Sequence, residues 1–132
     1  MRIKHGRVSL ELHEVAQRPG SALLLLHALF GSSQDWGETP AAWPGAVYAL
    51  DATSGTLLWM VPTAGQVTSS PAVANGVVYV GAEDDNVYAI DASSGTVLWT
   101  YTTGNAVESS PTVANGMVYV GSLDDNVYAF GL

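Results

Sequence analysis

The chain contains no cysteine, which excludes disulfide staples and thiolate metal sites and leaves the redox compartment unread. Basic residues are almost as scarce. All four, Arg2, Lys4, Arg7 and Arg18, lie in the first 18 residues, while positions 19–132 carry ten acids and neither Lys nor Arg. Phosphate neutralisation needs clustered Lys and Arg, so no nucleic-acid face is expected on this stretch. It would attract cations or a basic partner, unless its acids merely keep a repetitive surface soluble. Long apolar runs are missing too. Residues 22–30 form the longest, too short to cross a bilayer, so no membrane partner is expected. The N-terminus MRIKHGRVSLELHEV has no apolar h-region of a signal peptide, which implies a chain that stays cytoplasmic as expressed.

What is present is repetition. A unit of forty residues begins at Val47 (VYALDATSGTLLW), again at Val87 (VYAIDASSGTVLW) and a third time at Val127 (VYAF). Residues 47–86 and 87–126 are identical at 26 of 40 positions, without insertion or deletion. A fixed period of this length means stacked copies of one supersecondary unit, none able to bury its apolar face alone. Within the unit the apolar pattern has period two, as in VVYVG and MVYVG, which is strand spacing.

Turn chemistry divides the unit. Asn75-Gly76 and Asn115-Gly116, flanked by apolar runs, are type I′ hairpin signals, because both central residues need positive φ. Asp85-Asn86 and Asp125-Asn126 make a second tight turn and Ser94-Gly95 a third. The spacing predicts strands at 69–74, 77–82, 87–91 and 96–102. Four short antiparallel strands in forty residues is the size of a β-propeller blade. Pro71 and Pro111 fall at the start of the first strand, where a missing N–H is tolerated. The expected fold is mostly β, a partial β-propeller of about two to three four-stranded blades.

These residues carry a resemblance. Ala49-x-Asp51-xxx-Gly55-xxx-Trp59 and Ala89-x-Asp91-xxx-Gly95-xxx-Trp99 resemble the tryptophan-docking motif of PQQ-like (quinoprotein-type) propeller repeats, and SSPAVANGVVYVG resembles the first two strands of such a repeat. Ser54 and Ser94 stand where that motif usually has Thr. Over 47–132 the resemblance implies that Trp59 and Trp99 pack between neighbouring blades, with Gly55 and Gly95 in the preceding turns. Asp51 and Asp91 then complete the structural set. Such repeats are commonly exported, so the missing signal is a departure from the pattern. Quinone-binding relatives hold their cofactor on the axis with dedicated polar ligands; two bare repeats supply none, and no cofactor is expected.

Residues 1–46 show no repeat. Residues 7–15 alternate, with Val8, Leu10 and Leu12 on one face; Arg18-Pro19-Gly20 reads as a turn and 22–26 as an apolar strand. A loop-like stretch follows, with one helical turn between 33 and 43. This segment resembles the N-terminal part of α/β-hydrolases, with 23–26 as the third strand, His27-Ala28-Leu29-Phe30-Gly31 as the oxyanion-hole loop and 45–51 as the fourth strand. The resemblance brings no activity with it. No G-x-S-x-G follows, and His5, His13 and His27 all precede the place where that family's base would stand. An oxyanion hole without a nucleophile has nothing to stabilise, so no enzyme is expected. Because VYALD at 47–51 fits both patterns, the chain reads as an engineered chimera or a natural fusion, with a hydrolase-like part at 1–46 and repeats at 47–86, 87–126 and 127–132.

From Val47 onward the pattern supplies nine strands with two open ends, and a propeller of typically four to eight blades cannot be closed by one such chain. Either 8–12 and 23–26 act as substitute first and second strands of the blade that starts at Val47, or 1–46 caps the stack. Both leave open edges, which pair with other chains. A homo-oligomer of cyclic symmetry is expected, its short third blade completed by a neighbour. As candidate sites, Glu83, Asp84 and Asp85 in one blade and Asp124 and Asp125 in the next occupy equivalent turns, on the same face as the connections 62–67 and 102–108. Carboxylates gathered there would suit calcium, or would only satisfy turn geometry. The function expected is a non-catalytic structural and interaction module. The alternatives are a binding module with an acidic face and a remnant enzyme, quinoprotein-like or hydrolase-like.

Overall fold

The two Asn-Gly turns set the hairpins. Asn75 and Gly76 have φ of 51° and 74°, and Asn115 and Gly116 have the same pair, which is the type I′ requirement. Around them the computed structural model describes the backbone of Arg2–His5, Val8–Arg18 and Ser21–Ala28, and residues 45–51 and 54–132 in full. Twelve strands in three antiparallel sheets account for the described residues.

The first sheet holds β1 (Arg2–His5), β2 (Val8–Arg18), β3 (Ser21–Ala28), β4 (Gly45–Asp51) and β5 (Leu57–Thr63) in chain order. Its β3 pairs with β4 through Leu24↔Leu50 and Leu26↔Tyr48. Of the two arrangements open from sequence, substitution is the one found: β2 and β3 take the places of a blade's first and second strands, and β1 adds a fifth. The pairing of β3 with β4 is antiparallel, as in a blade and unlike the parallel sheet of α/β folds. The hydrolase-like loop, 29–44, lies outside the described residues.

The second sheet holds β6 (Ala72–Ala74), β7 (Val77–Gly81), β8 (Asn86–Asp91) and β9 (Val97–Thr102), and the third holds β10 (Thr112–Ala114), β11 (Met117–Gly121) and β12 (Val127–Gly131). The first strand expected at 69–74 is shorter than its sequence suggests and begins only at Ala72. Pro71 has no N–H to give, and the Ser69 hydroxyl takes the Gly81 N–H at 3.1 Å where a ladder carbonyl would otherwise stand. Ser109 does the same for the Gly121 N–H at 2.7 Å.

Alternation along each strand gives every sheet two apolar faces, and neighbouring sheets share a core. Val47, Ala49, Trp59 and Val61 of the first sheet meet Val78, Val80 and Ile90 of the second. One sheet later, Tyr79 and Ala89 meet Val118, with Val113 and Phe130 against them, while Val87 meets Val107 and Val120. The far face of the third sheet has no such cover. Val87 is 0% exposed and its counterpart Val127 75%; Tyr79 is 4% exposed and Tyr119 39%.

Candidate functional site

Two sets of turns carry the residues that the sequence singles out. In the β4–β5 and β8–β9 turns, an aspartate organises the loop. The Asp91 carboxylate accepts the Ser93 and Ser94 N–H groups at 2.9 Å each, and the Ser93 and Ser94 hydroxyls at 2.6 and 3.1 Å. The Ser93 hydroxyl, followed by the Ser94 and Ser93 amides, holds this carboxyl below the ordinary carboxylate value. Asp51 accepts the Ser54 N–H at 2.8 Å in the same way. Each serine that replaces the usual threonine keeps the hydroxyl's work: Ser54 and Ser94 bond both the aspartate and Thr56 or Thr96.

Gly55 and Gly95 close these turns at φ of 72° and 73°, in the left-handed region where a side chain is strained. Gly95 has a second reason to lack a side chain. A Cβ there would stand 2.6 Å from Cγ of Trp59, because the Trp59 side chain of the preceding sheet lies against this turn. The Trp59 Nε1 donates to the Ala92 carbonyl at 2.9 Å, so the indole is both buried and satisfied. Trp59 thus packs between the first and second sheets. Trp99 packs between the second and third sheets, but only half-buried, with ring centroids 6.0 Å from Tyr79 and 5.1 Å from Phe130. Over Gly55 nothing described lies within 4 Å of an added Cβ.

The acidic turns are built differently. The Asp84 Oδ2 accepts the Tyr88 hydroxyl at 2.5 Å and the Ala64 N–H at 3.0 Å, while Oδ1 takes the Asn86 N–H at 3.2 Å. Forty residues on, Asp124 repeats the set with Tyr128 at 2.6 Å, Gly104 at 2.7 Å and Asn126 at 3.0 Å. Ala64 and Gly104 belong to the loop leaving the preceding sheet, so each carboxylate ties two sheets at their rim. The Tyr128 hydroxyl, then the Gly104 and Asn126 amides, lower the Asp124 carboxyl to about 2. In return the hydrogen bond to Asp124, above all, raises the Tyr128 hydroxyl above its ordinary value. For Tyr88, burial is the larger cause of the same shift.

Asp85 and Asp125 sit at φ of 69° and 68° as turn residues, and the Asp85 carbonyl accepts the Thr103 N–H at 2.7 Å. The Glu83 backbone bonds Gln66 at 2.9 Å. The structure therefore keeps Asp84 and Asp124 on equivalent turns but engages their oxygens with protein donors. Among the described residues no three acidic or histidine side chains converge on a metal position. Tyr88 and Tyr128 are the members that sequence reasoning missed. Their signal was available as Asp-x-x-x-Tyr, repeated at the forty-residue period.

A tryptophan packed between sheets against a left-handed glycine, antiparallel sheets that follow chain order and a strict repeat are together the marks of PQQ-like β-propeller blades. The sequence profile of the family described as outer membrane protein assembly factor BamB matches residues 44–131. The chain belongs to this family. Solved structures share the fold. BamB from Moraxella catarrhalis is similar at 18% identity and TM-score 0.61, over 96% of this chain and 43% of that one. The computationally designed Ika4 protein is similar at 15% identity and TM-score 0.65, over 92% of this chain and 66% of that one. The quinohemoprotein alcohol dehydrogenase ADHIIG of Pseudomonas putida HK5 is similar at 25% identity and TM-score 0.61, over 89% of this chain and 18% of that one. The chain thus spans less than two thirds of the length of each. A sequence search among curated proteins finds no match.

Proposed function

We propose that the chain is a non-catalytic structural module, a partial propeller whose work is assembly through its open third sheet. The observation that carries this reading is the contrast between Val87 and Val127, 0% and 75% exposed at equivalent places. An apolar sheet face beside an open edge strand is a surface made for another polypeptide. The absence of a G-x-S-x-G elbow in the sequence argues against hydrolysis, and the engagement of Asp84 and Asp124 with protein donors argues against a calcium role. The partner proposed is a second copy of the chain. Light scattering tests this: the reading expects a mass above one chain at micromolar concentration, and a single-chain mass at all concentrations refutes it.

The same reading takes 1–46 as a segment of other ancestry, recruited to give β2 and β3 to the first sheet, in an engineered or fused chain. The change of pattern at Val47 supports it. A variant whose 1–44 is replaced by strands copied from 69–82 should fold with undiminished stability; failure to fold would mean that the segment does more than supply strands.

A further inference from the structure

Two differences between the repeat copies meet in one loop. Position 65 is glycine where its counterpart 105 is asparagine, and position 82 is alanine where its counterpart 122 is serine. In the loop that leaves β9, the Ala106 N–H donates to Oδ1 of the preceding Asn105 at 2.8 Å. The carboxamide carbon, one bond from that oxygen, is thereby held beside the Ala106 nitrogen. The carbonyl of the same peptide unit is engaged as well: the Thr103 and Ser122 hydroxyls donate to the Asn105 carbonyl oxygen at 2.5 and 2.9 Å. In the earlier copy the Thr63 hydroxyl keeps its place, 2.6 Å from the Gly65 carbonyl, but the second hydroxyl and the carboxamide are both missing.

This is the arrangement that succinimide formation requires. The Ala106 nitrogen gives up its proton to hydroxide and bonds to Cγ of Asn105, and the charge that develops on the peptide falls partly on a carbonyl oxygen where two donors already point. The Cγ–Nδ2 bond then breaks, and Nδ2 takes a proton from water and leaves as ammonia. A second water opens the ring to aspartate or isoaspartate. Asn105 is exposed, and its departing nitrogen is held by the Leu123 carbonyl at a long 3.5 Å. The Asn-Gly pairs are the most reactive in an unfolded chain, because glycine leaves its nitrogen unobstructed, yet here they are arranged the opposite way. A type I′ turn sets ψ of its first central residue near about +30°, which puts the Gly76 and Gly116 nitrogens almost opposite the asparagine Cβ. The Ala92 N–H fixes the Gly76 carbonyl in that turn at 2.9 Å. We propose that Asn105, and neither Asn-Gly pair, is the site at which the folded chain deamidates. The inference is independent of the assembly reading, and a single-chain mass in light scattering leaves it standing.

The test ages the full chain in mildly alkaline buffer, native and in guanidinium chloride, and follows each asparagine by peptide mass spectrometry. Asn105 should convert first in the native chain, and Asn75 and Asn115 first in the denatured one. Ser122→Ala, which installs the residue of the earlier copy, should slow Asn105 by about tenfold in the native chain, the weight of one hydrogen bond to a developing charge, and leave its denatured rate unchanged. An unchanged melting curve establishes that this variant folds. Conversion of Asn75 or Asn115 ahead of Asn105 in the native chain would overturn the assignment, and a native Ser122→Ala rate equal to that of the parent would remove the hydroxyls from it.

Discussion

The second and third sheets carry nearly the same sequence in the same register, yet the second is covered on both faces and the third on one. In the second, β8 is flanked by β7 and β9, and Val87 and Ala89 are sealed by the sheet that follows. In the third, β12 is an edge, and Val127 meets solvent. Identical residues thus differ in environment through what stands beside them in the sheet and next in the stack. Blade stability is a property of the neighbour as much as of the unit.

That contrast can be broken most sharply at the two docking tryptophans. Trp59→Ala should cost about 3–5 kcal/mol in urea unfolding, since a buried indole and its hydrogen bond to Ala92 are lost together. Trp99→Ala should cost about 1–2 kcal/mol, because less of its area is withdrawn from water. Equal losses would show that the third sheet covers Trp99 as well as the second covers Trp59. Gly95→Ala comes next. It adds about 1–2 kcal/mol of left-handed strain and also displaces the Trp59 ring, whereas Gly55→Ala adds the strain alone. The gap between their melting temperatures isolates the docking contribution.

Smaller effects concern the acidic turns. The Asp124 carboxyl is lowered in the fold from 3.8 to about 2, so folding releases its proton more readily than the unfolded chain does. Its contribution to stability is present above pH 3.8 and is lost as pH falls toward 2. Asp124→Asn should flatten the acid limb of the stability curve over that window, and Tyr128→Phe should flatten it partly. Calcium should produce the least change. Calorimetric titration is expected to give no binding heat and the melting temperature to stay fixed; a saturable heat that Asp84→Asn removes would show that the carboxylates still reach a cation.

Much of the fold was legible because its signals are local. Asn-Gly turns, alternation and a forty-residue period are read from the chain alone, and the second and third sheets, with β4 and β5 of the first, follow them. The motif singled out the tryptophans and the turn glycines by spacing within one repeat, but that Gly95 of one sheet lies against Trp59 of the sheet before it is a contact between repeats. Other features depend on contacts between distant segments. Nothing in DDNVY says that an aspartate will take an amide from a loop twenty residues earlier, so the acids read as calcium ligands or as turn formers and not as ties between sheets. The late start of β6 needed the Ser69 hydroxyl to stand in for a strand partner. The pairing of β3 with β4 had no period to announce it.

The doubly used oxygen of the rim clamp has one more consequence. Oδ2 of Asp84 holds Tyr88 of its own sheet and Ala64 from the sheet before, and Oδ2 of Asp124 repeats this with Tyr128 and Gly104. A single atom shared by two blades acts as a hinge pin, and it stands at the same place at both junctions. Such pins constrain how each blade meets the next at the rim, while the apolar cores supply adhesion. A chain lengthened by whole forty-residue units should therefore carry the same pin at the rim of each added junction.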